Sequence, residues 1–145
     1  MIVSSDTIRT QLAAIWPRLE FIVLSDPEWW APETADVAAF LVSEPDLPFV
    51  PHLYECEEQS LDLVAAQRRL HVEDYLHAQH FSTGRAKQHL NWPLGIVCGT
   101  RFAGVDMDHW QNIIVTRSGV RLVERQSKRI WAPDPAQDQI YFLLM

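Results

Sequence analysis

Ile113-Ile114-Val115-Thr116-Arg117-Ser118-Gly119-Val120-Arg121-Leu122-Val123 is the stretch that decides the fold. Two runs rich in β-branched residues flank Thr-Arg-Ser-Gly, a pattern that predicts two strands joined by a turn. Gly95-Ile96-Val97-Cys98-Gly99 and Ile140-Tyr141-Phe142-Leu143-Leu144 have the same character, so the chain beyond Trp92 reads as strands. Upstream the period changes. Ile8, Leu12, Ile15 and Trp16 recur at helical spacing, with Ser5 or Asp6 to cap that helix and Pro17 to stop it. Leu19 to Leu24 reads as a short strand closed by Ser25-Asp26-Pro27, and Thr34 to Val42 as a helix. Glu44 to Pro51, with three prolines, is a connection. The longest Gly- and Pro-free stretch runs from about Tyr54 to His80, ended by Phe81-Ser82-Thr83-Gly84. Leu61, Val64, Ala65, Val72, Tyr75 and Leu76 share a helical face there, interrupted by Arg68. Helices first and strands second predict an α+β domain spanning 1–145. In it, N-terminal helices, one of them long and central, pack on a C-terminal antiparallel sheet.

The composition excludes several classes. At 145 residues, with 48% hydrophobic and 21% charged residues, the chain is sized and balanced for one globular domain. Six Trp, six Phe and three Tyr give bulk for a core. A net charge of −7 argues against work on nucleic-acid phosphates or an anionic membrane, both of which need a basic footprint. Two cysteines, Cys56 and Cys98, are too few for a disulfide framework. MIVSSDTIRT lacks the basic and apolar regions of a signal peptide, and no apolar run approaches about 18 residues. A cytoplasmic location is the resulting expectation.

Chemistry concentrates at three places. Cys56 falls at the start of the long helix, where unpaired N–H groups and the helix dipole favour a thiolate. Glu55, Glu57 and Glu58 surround it and oppose that effect. His109, in Asp106-Met107-Asp108-His109-Trp110-Gln111-Asn112, enters a strand and offers an imidazole base. Glu124, one strand later, offers a carboxylate to orient it, and Gln126 an amide to donate to an oxyanion. If Thr116 to Gly119 all loop, Val115 pairs with Val120 and His109 falls opposite Gln126. Glu124 is then the diagonal neighbour on the same face, at roughly 7–8 Å. A two-residue Ser118-Gly119 turn also keeps all three on one face, further apart, whereas a three-residue loop would move His109 to the other face. Cys98, between Gly95 and Gly99, reads as buried and inert. His71, His77 and His80 read as scattered surface residues. Trp29-Trp30 cannot both face one core from a strand.

Taken together, three motifs resemble a known family. Tyr54-Glu55-Cys56-Glu57-Glu58, Asp108-His109-Trp110-Gln111-Asn112 and Glu124-Arg125-Gln126 look like those of papain-like cysteine peptidases. The likeness is to the small peptidase domain attached to some fungal lectins and to related bacterial and phage domains. It implies a papain-like, transglutaminase-like fold with Cys56 as nucleophile, His109 as base, Glu124 as orienting carboxylate and Gln126 as oxyanion donor. Members of that group can require a divalent cation, and Glu57, Glu58 and Asp108 match the acidic positions. Oxygen ligands of that kind suit calcium or manganese. Arg125 and Trp110 depart from the pattern, replacing a proline and a small residue.

Two functions compete on this reading. The first is a cysteine-dependent hydrolase or acyl-transferase of peptidase type, with a Cys-His-Glu triad and a peptide or protein substrate. The second is a non-catalytic acidic binding module, of immunity or phage-accessory type, attracting its partner electrostatically. Neither involves nucleic acid or membrane, and the oligomeric state is open.

Overall fold

The hairpin around Thr116–Gly119 supplies the fourth and fifth strands of a six-stranded sheet. The computed structural model describes residues 1–51, 55–81, 90–101 and 107–145, without the side chains of 78–81. Along the chain run β1 (Ile2–Ser4), α1 (Ser5–Ile15), β2 (Phe21–Val23), β3 (Glu28–Trp30), α2 (Thr34–Ser43) and α3 (Cys56–Phe81). Then come β4 (Leu94–Arg101), β5 (His109–Thr116), β6 (Gly119–Glu124), β7 (Arg129–Trp131) and β8 (Gln139–Leu144). The large sheet has the order β2-β8-β4-β5-β6-β7, and β1 pairs with β3 in a separate two-stranded sheet. Val115 pairs with Val120 and Thr116 with Gly119, which takes the positive φ of 105° that the turn requires. Tyr54, Asp106 and the Ser82-Thr83-Gly84 helix stop lie outside the described residues.

Strands buried on both faces explain the near-continuous apolar runs. Ile113, Val115, Leu122 and Leu143 face one core with Ile8 and Leu12 of α1 and the fully buried Trp29. Ile114 and Val123 face a second core with Val37, Phe40 and Leu41 of α2 and Leu63 and Ala66 of α3. Trp29 and Trp30 divide as strand alternation demands: Trp30 is half-buried, with the Arg117 guanidinium 5.5 Å from its ring centroid. Ser4 caps α1, its hydroxyl accepting from Thr7 N–H at 3.2 Å.

The expected architecture needs correction in two respects. First, the sheet is mixed rather than antiparallel, and it is not confined to the C-terminal half. β2 joins β8 in parallel, Phe21 opposite Phe142 and Val23 opposite Leu144. Met145 N–H donates to Val23 O and Ser25 N–H to Met145 O, both at 2.9 Å, so β2 satisfies an edge that β8 would otherwise leave open. Secondly, α3 is not a central helix lying along the sheet. Its buried residues are Gln59, Ser60, Leu63, Ala66 and Gln67, and none from 68 to 77 is buried. Of the apolar face read from the sequence, Val64 packs against the second core, but most of the rest points outward, with Leu61 50% and Leu76 58% exposed. The buried face is set by where α3 meets β4 and β5, and it takes two glutamines and a serine along with Leu63 and Ala66. The amide of Asn112 donates both to Ser60 O at 2.9 Å and to Gly95 O at 3.1 Å, tying α3 to the sheet. No helix among the described residues is long and apolar enough to cross a membrane.

Candidate functional site

Where α3 begins, the ends of β5 and β6 part and leave a cavity of about 290 Å3. Regular pairing between these strands stops at Asn112 and Val123. His109, Glu124 and Gln126 therefore lie beyond the ladder, and all three line the cavity together with Cys56. Phe49, Glu55, Glu57, Gln59, Ser60, Asp108, Trp110, Gln111, Asn112 and Arg125 complete most of its wall. The structure thus gathers the four residues singled out as Cys56, His109, Glu124 and Gln126 into one place.

Their immediate partners define what the site can do. Cys56 Sγ donates to Glu57 Oε2 at 3.4 Å, which is hydrogen bonding available only to the protonated thiol. Burial raises the Cys56 pKa above its ordinary value. The backbone N–H of Trp110 works in the other direction, and the Glu57 carboxylate adds to the rise. His109 Nε2 is hydrogen-bonded to Gln111 Oε1 at 3.1 Å, and the Gln111 amide donates onward to Val123 O. Ser127 Oγ donates to Glu124, holding that carboxylate at the β6–β7 turn. Gln126 and Asp108 are exposed and make no hydrogen bond among the described residues.

The three acidic residues matched to a cation are not brought together. Glu57 and Asp108 line the cavity, but Glu58 turns back to accept from Glu55 N–H at 3.0 Å, capping the helix start. Among the described residues no group of three or more His, Cys, Asp or Glu could hold a metal ion. The second cysteine differs sharply from the first. Cys98 is buried, and desolvation, followed by the charges of Cys56 and Glu57, pushes its thiol up to about 11.

Arg125 is the residue whose role the sequence concealed. It departs from the motif because it is a buried tie between three segments, only 5% exposed. Its guanidinium donates to Glu44 Oε2 at 3.0 Å and to Asp62. Those partners are 81 and 63 residues away in the chain, so no local pattern announces them. Gln111, which links His109 to the neighbouring strand, was likewise visible only as a polar residue in an apolar run.

Neither a protein-family model nor a curated protein sequence matches the chain. Solved structures do. The PSL1a–E64 complex shares 16% identity with it at a TM-score of 0.72, over 99% of this chain and 50% of that one. Polyporus squamosus lectin bound to the human-type influenza-binding epitope Neu5Aca2-6Galb1-4GlcNAc shares 16% identity at a TM-score of 0.71, over 99% and 49%. The chain spans about half the length of these neighbours. The papain-like, transglutaminase-like assignment is corrected accordingly. The solved likeness is to a lectin, and short motifs of common residue types do not by themselves specify a peptidase. With that assignment go the hydrolase and acyl-transferase reading, the thiol-protease activity and the Cys-His-Glu triad as a catalytic unit. What the neighbours share with this chain is the fold.

Proposed function

We propose that the chain is a non-catalytic binding module whose cavity, between the start of α3 and the ends of β5 and β6, takes a neutral saccharide. One observation carries this reading: the cavity wall combines carboxylates and amides with the aromatic surface of Trp110 and Phe49. A sugar hydroxyl both donates and accepts, so it is best met by acceptors such as Glu57 and Glu124 beside donors such as Gln126. The apolar C–H face of a pyranose complements an aromatic ring. The protonated thiol of Cys56 fits a recognition role, since the thiol is a poor nucleophile compared with the thiolate. A bound saccharide in a lectin that shares the fold adds support from a different direction. That trisaccharide contains an acidic sugar, and here Glu55, Glu57, Asp108 and Glu124 repel acids, so this cavity selects uncharged sugars instead.

The test is an NMR titration of the 15N-labelled chain with lactose and with sialyllactose. Lactose at millimolar concentration is expected to shift the Trp110 and Gln126 resonances, and sialyllactose to do so much less. Trp110→Ala should weaken lactose binding about tenfold, the loss of one aromatic contact. Equal shifts with both sugars, or none at the cavity, would count against the proposal.

A further inference from the structure

A second cavity, of about 570 Å3, opens where the end of α1 meets β4 and β8. It shares no lining residue with the first. Its polar wall is made by Arg18, Thr100, Asp138 and Gln139, and its aromatic wall by Trp16 and Tyr141. The size lies in the usual range for small-molecule sites, roughly 300–1,000 Å3.

The charges in this cleft are uncompensated. Neither Arg18 nor Asp138 has an ion-pair partner among the described residues, although both line the same cavity. Asp138 is half-buried, and that burial raises its carboxyl above the ordinary value, as expected for a carboxylate withdrawn from water. Only one of its oxygens has a firm partner, Oδ2 accepting from Asp134 N–H at 2.8 Å. Trp16 Nε1 is buried without a well-formed hydrogen bond, yet it still favours the ionised Asp138. The 134–138 turn is braced by Asp138 N–H donating to Asp134 O at 2.8 Å, so the carboxylate is held in place. Tyr141, 46% exposed, offers ring surface to the same cavity.

We infer that this cleft binds a zwitterionic small molecule, a free α-amino acid. Its ammonium sits on Asp138 against the Tyr141 ring, and its carboxylate on Arg18. A cavity that holds a carboxylate and an aromatic face is matched by a cation, and its separate guanidinium by an anion. One ligand carrying both charges a short distance apart satisfies each without the two protein groups meeting. Ile15, Leu19 and Pro135 in the same wall offer the apolar surface for a side chain.

The experiment is a calorimetric titration of the full chain with L-phenylalanine. N-acetyl-L-phenylalanine, which lacks the ammonium, and phenethylamine, which lacks the carboxylate, serve as single-charge probes. L-phenylalanine is expected to bind, and each single-charge probe at least about tenfold more weakly, the loss of one charge-assisted contact. Asp138→Asn and Arg18→Gln should each weaken L-phenylalanine by a similar factor, and Trp110→Ala should leave it unchanged. Equal affinity for the single-charge probes, no effect of either charge substitution, or no binding of L-phenylalanine would overturn the inference. Thermal unfolding of both variants at the wild-type temperature shows that a loss of binding is local.

Discussion

Gly95→Ala is expected to destabilise the chain by about 3 kcal/mol or more, at the upper end of overpacking costs. A Cβ at this position would overlap the carbonyl oxygen of Leu144 and lie 2.9 Å from its carbonyl carbon and 2.5 Å from Met145 Cγ. Most of the obstacle is backbone, which cannot rotate aside as a side chain can. The obstructing segment is also fixed, because Met145 N–H is hydrogen-bonded to Val23 at the end of β2 and Met145 O to Ser25 just after it. Relief would have to break the β2–β8 junction or push β4 off β8. In thermal unfolding the midpoint should fall by about 6–12 °C. Urea titration should show a lower midpoint with the slope preserved. A loss below about 1 kcal/mol would mean that the C-terminal segment yields easily, contrary to the packing described.

Arg125→Ala carries the second large effect, also about 3 kcal/mol. The guanidinium joins Glu44, after α2, to Asp62 on α3 from a buried position at the end of β6. Removing it strands two carboxylates unequally. Glu44 keeps 15% of its side chain exposed and Asp62 41%, so Asp62 can rehydrate while Glu44 bears more of the cost. Asp62→Ala should therefore cost much less, about 1 kcal/mol. Chemical denaturation of both variants checks this order, and equal losses would contradict it. Because Arg125 also lines the first cavity, its loss should weaken lactose binding along with stability.

The hairpin was legible because β-branched runs and a Gly-containing turn are local signals. Its register was not: the sequence left the loop length open, and the structure places Val115 opposite Val120 and Thr116 opposite Gly119. The start of α3 at Cys56 and the burial of Cys98 were readable too. β1, β3 and β7 were not, since three residues outside a longer apolar run, unlike β2 within Leu19 to Leu24, carry too little pattern and depend on a partner elsewhere in the chain. The buried face of α3 was misread because hydrophobicity alone chose Leu61, Val72 and Leu76. Contact with the sheet instead buries Ser60, Leu63 and Ala66, with Asn112 donating to Ser60 O. Motif and spacing pointed to Cys56, His109, Glu124 and Gln126, which share the first cavity, but not to Gln111 or Arg125 in its wall. Whether Cys56 is thiol or thiolate depends on burial and on where the Glu57 carboxylate points, neither of which a sequence records.

The protonation of Cys56 tests the account most directly, because a recognition site and a nucleophile demand opposite states of the same sulfur. Iodoacetamide alkylation of Cys56, followed by mass spectrometry across pH, measures it. The account predicts slow reaction at neutral pH and a rate rising to a midpoint above that of a free thiol, about 8.5. Glu57→Gln should move that midpoint down, since the carboxylate helps to hold the proton. A plateau already reached at neutral pH and abolished by His109→Ala would contradict the account, showing a thiolate sustained by the imidazole.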